Sequence, residues 1–87
     1  MPKYLLERSL GPISLEEVDA AAERSTEVRE ARYPEITWEH THVVSSDEGV
    51  KAFCVYHSPD PEILRRHAAD AGLPVDRIYE VATDLVP

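Results

Sequence analysis

Histidines are the residues of this 87-residue chain whose spacing best suits chemistry. Two of them, His40 and His42, lie two residues apart in the stretch ITWEHTHVV. On a β-strand such side chains point the same way, with α-carbons about 6.8 Å apart. Imidazoles at that spacing can converge on one divalent ion, and imidazole suits nickel, zinc and copper. The pair is therefore a candidate metal site; a catalytic or substrate-contacting role and a structural role are the alternatives.

A stable metal site needs a third or fourth ligand. Regular strand alternation predicts that Glu39 and Thr41 point away from the histidine pair, and that Trp38 shares the pair's face. The missing ligand must then come from His57, from His67 or from a partner subunit. We predict the histidine pair and His57 as metal ligands, an ordinary position at the surface rim being the alternative for His57.

His67 is the most suggestive single residue. It lies in the apolar stripe of a predicted helix, four residues from both Ile63 and Ala71. A buried ring needs hydrogen-bond partners, and histidine titrates near neutrality, as proton transfer requires. We therefore predict His67 as a general acid or base in a cavity between helix and sheet, with a satisfied core histidine as the alternative. Tyr56 is predicted to contact a substrate, or else to be a core or interface aromatic.

Other chemistry has little support in the sequence. Cys54 is the only cysteine, so an internal disulfide is impossible, and its place within an apolar run is typical of a buried filler. A nucleophilic or ligand role is the alternative for this residue. There is no glycine-rich phosphate loop, no serine-protease signature and no dinucleotide fingerprint.

The first half of the chain predicts a strand and a helix. The segment KYLLER favours a strand over residues 3–8. Ser14 followed by Glu17 is a capping-box pattern, which predicts a helix start, and Pro34 predicts its end near Tyr33. Apolar and small residues recur on this helix at helical spacing: Val18, Ala21, Ala22, Ser25 and Val28.

The second half predicts a hairpin, a helix and a last strand. EITWEHTHVV and VKAFCVYH flank the turn-forming SSDEG and favour an antiparallel hairpin. A helix follows, with Asp60 as N-cap, Pro61 in its first turn and Gly72 as C-cap. VDRIYEVATDLV predicts the final strand. The order β-α-β-β-α-β is that of a single ferredoxin-like α+β domain over residues 1–87, with an antiparallel sheet and both helices on one face.

Charge and hydropathy restrict the classes of partner that the protein could bind. The net charge is −8 and no basic cluster is present, which argues against nucleic acid and against an anionic membrane surface. No signal-peptide pattern or membrane-length apolar run occurs, so we expect a cytoplasmic protein. Apolar residues on both alternations of the predicted strands favour a homodimer packed sheet to sheet, which would cover the face without helices.

Four motifs together resemble a family of small bacterial proteins: PKYLLER, TWEHTHVV, KAFCVYHSPDPE and LRRHAADAGLPVDRIYEV. The family is classed as a domain of unknown function, and some members are labelled nickel-binding protein. The resemblance covers nearly the whole chain. It implies a ferredoxin-like fold, a homodimer and nickel as the bound metal.

Three functional hypotheses follow. The first is metal sequestration or handling through His40, His42 and His57. The second is a cofactor-independent isomerase, cyclase or monooxygenase of the dimeric α+β-barrel kind, acting on a small hydrophobic metabolite with His67 as acid or base; only fold-level analogy supports it. The third is an accessory module that acts through protein contacts. The orientation of the His40–His42 pair discriminates between the first two. A pair that faces His67 favours the enzyme, and a pair that faces a partner subunit favours the metal site.

Overall fold

The computed structural model describes residues 1–87 as two helices and four strands. The elements are β1 (Lys3–Gly11), α1 (Leu15–Arg32), β2 (Thr37–Ser46), β3 (Gly49–His57), α2 (Pro61–Ala71) and β4 (Arg77–Glu80). The strands form one sheet in the order β2-β3-β1-β4, and each neighbouring pair is antiparallel. This arrangement confirms the predicted ferredoxin-like α+β class. The last strand is shorter than predicted, because only its first part pairs with β1.

Local capping explains where the helices begin and end. The backbone N–H of Glu17 donates to the hydroxyl of Ser14 over 3.1 Å, which completes the predicted capping box of α1. The carboxylate of Asp60 accepts the backbone N–H of Ile63 over 3.0 Å at the start of α2. Gly72 ends α2 in the left-handed conformation, with φ of 70°. These three predictions are confirmed.

The core lies between the central strands and α2. Its buried members include Leu6 and Tyr4 of β1, Cys54 and Tyr56 of β3, and Leu64 of α2. Helix α2 also buries a histidine and two alanines, whereas α1 buries only one serine. The first helix therefore covers the sheet less closely than the second. No helix combines the length and the apolar character that crossing a membrane requires.

A β-bulge interrupts β2 at Glu39. Trp38 pairs with Tyr56, yet His40 pairs with the next residue of β3, Val55, so Glu39 has no partner of its own. The extra residue reverses the alternation of the strand. Trp38 consequently shares the helix-covered face with Tyr56, while His40 lies on the face without helices.

The bulge contradicts one expectation from the sequence. Regular alternation predicts Trp38 on the same face as His40 and His42. His42 pairs with Phe53 and therefore stays with His40 on the face without helices, and Trp38 lies on the opposite one. We call the face without helices, which carries His40 and His42, the open face of the sheet.

Candidate functional site

The carboxylate of Glu39 joins two histidines on the open face. The Nε2 atom of His57 donates a hydrogen bond to Oε1 over 2.9 Å, and Nδ1 of His40 lies 2.9 Å from Oε2. The ammonium group of Lys3 lies 3.5 Å from Oε1. The expectation that Glu39 points away from the histidines is therefore wrong, since the bulge turns it towards them.

Three strands bring this group together. His57 ends β3 opposite Lys3 of β1 on one side and opposite Thr37 of β2 on the other. Glu39 is the bulged residue of β2 and reaches across to that end of β3. Sequence reasoning missed Glu39 because a bulge depends on strand pairing, and its adjacency to His40 was the only available signal.

The electrostatics favour an ionised and accessible carboxylate. The hydrogen bond from His57 is the main cause that lowers the pKa of Glu39, with further lowering by Lys3 and His40. The side chains of Glu39, His40 and His57 are 37%, 45% and 30% exposed. An ion can therefore reach these groups from solvent.

His42 lies beside this group. Its ring meets that of His40 edge to face, with centroids 4.9 Å apart and planes at 81°. Three of the chain's four histidines thus lie on the open face with Glu39 among them. Imidazole and carboxylate are donors that nickel and zinc accept in proteins. These side chains contact one another in pairs, and no group of three or more His, Cys, Asp or Glu side chains is preformed as a metal cage.

His67 lies on the other side of the sheet and is fully buried. Its Nε2 atom lies 2.9 Å from the carbonyl oxygen of Ser25 in α1, so this nitrogen carries the proton and donates. The other ring nitrogen, Nδ1, has no partner. The rings of Tyr33 and Tyr56 stand edge-on to it, at 5.6 and 6.1 Å between centroids. The hydrogen bond of His67 thus links α2 to α1. His67 cannot share a metal site with the histidines of the open face, because it lies on the other side of the sheet.

Burial of His67 makes the free energy of unfolding depend on pH. Desolvation is the main cause that lowers its pKa, Arg8 and Arg29 lower it further, and the Ser25 carbonyl and Asp70 oppose the change. The unfolded chain, in which the histidine has its ordinary pKa near 6.5, therefore takes up a proton at this position at a higher pH than the folded protein does. Stability should fall as the pH drops below that value, with a slope of at most about 1.4 kcal/mol per pH unit from this group.

Urea unfolding between about pH 5.5 and 7.5 measures this effect. We expect the decline towards acid to become shallower in His67→Gln, which has no titrating ring. The matched control is His42→Gln, on an exposed histidine, and should keep the decline of the parent protein. Equal slopes in parent and His67→Gln would contradict the assignment.

A cleft separates α1 from the sheet. Its volume is about 230 Å³, and its walls include Val18 and Ala22 of α1, Trp38 and Val43 of β2, and Tyr56 of β3. The sequence predicts a cavity beneath α2, whereas the cleft lies beneath α1. The reason is that α2 packs closely on the sheet and α1 does not.

Only one of the two predicted catalytic residues lines the cleft. Tyr56 forms part of its wall, and His67 does not. The two rings touch edge to face, so His67 supports the wall from behind. A substrate in the cleft would meet the tyrosine side chain without meeting the histidine.

The helix-backed antiparallel sheet and the histidines on its open face define a small ferredoxin-like α+β protein with a candidate metal-ligating surface. Residues 4–81 match the family model described as nickel responsive protein SCO4226-like. The chain belongs to this family. The match confirms the resemblance to this small family, whose description names nickel responsiveness.

Two solved structures share the fold of this chain. The crystal structure of SCO4226 from Streptomyces coelicolor A3(2) has a TM-score of 0.76 at 18% identity, covering 95% of this chain and 99% of that chain. The solution structure of the C-terminal domain of the MgtC protein from Mycobacterium tuberculosis has a TM-score of 0.63 at 14% identity, covering 95% and 88%. At such identities the likeness shows the fold alone. No curated protein matches the sequence significantly.

Proposed function

We propose that this protein binds a divalent metal ion, with nickel as the ion that the family description favours, and serves its sequestration or handling. The observation that carries the proposal is the Glu39 carboxylate on the open face, hydrogen-bonded to His57 and in contact with His40. His42 stands next to His40 and offers a further imidazole.

The chemistry of these donors suits such an ion. Histidine binds metal only in its neutral form, and a carboxylate supplies negative charge that offsets the cation. In the structure these donors satisfy one another, so metal binding would exchange the contacts with Glu39 for metal–ligand bonds. Because protons compete for the same nitrogens, affinity should weaken at acid pH.

A second copy of the chain is part of the proposal. The open face also carries apolar side chains: Leu5, Phe53, Val55 and Tyr79. Tyr79 is 44% exposed, although it lies within the paired part of β4. Packing two open faces together would cover this surface and bring two histidine groups to one interface.

Calorimetric titration of tag-free protein with nickel tests the proposal. We expect stoichiometric binding in about the micromolar range or tighter, and a loss of at least about tenfold in affinity for the His40→Ala, His57→Ala double variant. Glu39→Gln keeps the size of the side chain but removes its charge, and should weaken binding similarly.

The matched control is Glu48→Gln, which removes an exposed carboxylate from the hairpin turn and should leave nickel binding unchanged. Light scattering on the same samples gives the mass with and without nickel, and we expect that of a dimer. The absence of heat at stoichiometric nickel, or equal affinity in parent and double variant, would refute the metal site. A monomeric mass under both conditions would refute the dimer.

The enzyme hypothesis has weaker support. Its proposed acid or base, His67, is enclosed and engaged by the Ser25 carbonyl, and it does not line the cleft. Tyr56 remains a candidate for ligand contact there. The geometry therefore favours metal binding on the open face over proton transfer by His67.

A further inference from the structure

Arg8 is a buried cation whose hydrogen bonding is incomplete. The residue is 2% exposed and points from β1 towards the helices. Its Nη1 atom donates to the carbonyl oxygen of Pro74 over 2.9 Å, while Nη2 has no partner. No salt bridge joins Arg8 to a carboxylate of the chain. A buried guanidinium left in this state is costly, so an acceptor from outside the chain would stabilise it.

The Arg8 side chain lies in the wall of the cleft beneath α1. The other walls are mostly apolar and include Val18, Trp38, Val43 and Cys54. The cleft volume of about 230 Å³ exceeds the roughly 150 Å³ of an apolar cavity that holds benzene. One aromatic ring with a small substituent therefore fits this space.

The charges around the cleft favour an anion. Arg29 also lines it and places its guanidinium carbon 5.7 Å from the centroid of the Trp38 ring. Asp19 is the one acidic residue of the lining, so arginines outnumber carboxylates there. This balance is opposite to that of the whole chain, whose net charge is −8. The arginines therefore make one end of the cleft locally positive, which favours binding of a small anion to an otherwise acidic protein.

We propose that the cleft binds a small organic monocarboxylate with an aromatic or compact apolar body. The carboxylate accepts a hydrogen bond from Nη2 of Arg8, which gives the unpartnered nitrogen an acceptor and offsets the positive charge of the guanidinium. The apolar body lies between α1 and the side chains of Trp38 and Val43. This site is on the helix-covered side of the sheet, so it is independent of the metal proposal for the open face.

An NMR titration of the full, isotope-labelled chain with benzoate tests the site. We expect saturable shifts concentrated on the cleft residues, with a Kd in about the millimolar range or tighter for so small a ligand. Benzyl alcohol has the same ring without the charge and should bind at least about tenfold more weakly. Inorganic phosphate has the charge without the ring and should also bind more weakly.

Two substitutions in the cleft and a control on α2 locate the binding. Arg8→Met keeps the length of the side chain without the guanidinium, and should reduce benzoate affinity at least about tenfold, to the level of benzyl alcohol. Arg65→Met removes an exposed arginine of α2 and should change nothing. Ala22→Leu narrows the cleft from an exposed position of α1 and leaves Arg8 intact, so it keeps the test valid even if Arg8→Met does not fold.

Ala22→Leu should abolish benzoate binding, whereas Ala20→Leu, on the same helix outside the cleft, should not. Nickel binding should be the same in Ala22→Leu as in the parent protein. The proposal is overturned if benzoate gives no saturable shifts up to about 10 mM. It is also overturned if benzyl alcohol or phosphate binds as tightly as benzoate, or if Ala22→Leu binds benzoate as well as the parent does.

Discussion

Replacing Gly49 with alanine is expected to destabilise the fold by about 2–5 kcal/mol. A β-carbon at this position would lie 2.4 Å from the carbonyl carbon of Gly11, 2.5 Å from its oxygen and 2.8 Å from the backbone nitrogen of Pro12. All three are backbone atoms, so no side-chain rotation can relieve the clash. The φ of +114° at Gly49 adds strain for any residue with a side chain.

The position of Gly49 explains why the effect should be large. Gly49 opens β3 directly after the hairpin turn, and Gly11 ends β1 where the pairing register shifts. The two glycines allow β1 and β3 to approach closely at that end of the sheet. A displaced β3 would also disturb its pairing with β2, and with it the bulge that positions Glu39.

Urea unfolding followed by the fluorescence of the single tryptophan, Trp38, measures the loss. Gly72→Ala is the matched control, because Gly72 has φ of +70° but open space around its added β-carbon. That substitution should cost only about 1 kcal/mol. Comparable losses for the two variants would show that the close approach of Gly49 to Gly11 is not responsible.

Leu64→Ala is expected to cost about 2–5 kcal/mol, since it deletes most of a fully buried side chain and leaves a cavity. Leu64 belongs to the cluster that joins α2 to Leu6 and Tyr56 of the central strands. A domain of this size has only about 5–15 kcal/mol of stability to lose. The variant should therefore unfold at a much lower urea concentration.

The same urea experiment on Leu15→Ala provides the comparison. Leu15 is 70% exposed at the start of α1, and its truncation should change stability by no more than about 0.5 kcal/mol. If the two leucine variants unfold together, the core does not lie between α2 and the sheet. A selective loss in Leu64→Ala would support α2 as the helix that secures the fold, with His67 one turn further along fastening α1 to it.

Local signals in the sequence were sufficient for much of the fold. Ser14 with Glu17, Asp60, and Gly72 mark helix ends through contacts within a few residues, which survive in any tertiary context. The turn-forming SSDEG placed the hairpin in the same way. These signals define the element order, and the element order leaves few topologies other than the ferredoxin-like one.

The helical period was informative for one helix and misleading for the other. It predicted that His67 lies on the buried side of α2, and the side chain is fully buried there. The apolar and small residues of α1 recur at helical spacing too, yet Ser25 alone is buried. Small side chains such as Ala22 do not fill the space above the sheet, so a cleft remains beneath α1.

The sequence by itself determined the family, the order of elements and the presence of paired histidines on one strand face. Only the tertiary structure decided whether the paired histidines lie on the helix-covered face of the sheet or on the open face. A bulge at Glu39 reverses the alternation, because the pairing of β2 with β3 is set by the whole hairpin and includes the pairing of Trp38 with Tyr56. The same long-range pairing brings Glu39 to His57. On the helix-covered side, the tertiary packing around Arg8 leaves one of its nitrogens without an acceptor beside the cleft. Neither result depends on near neighbours in the chain, so no local pattern could predict them.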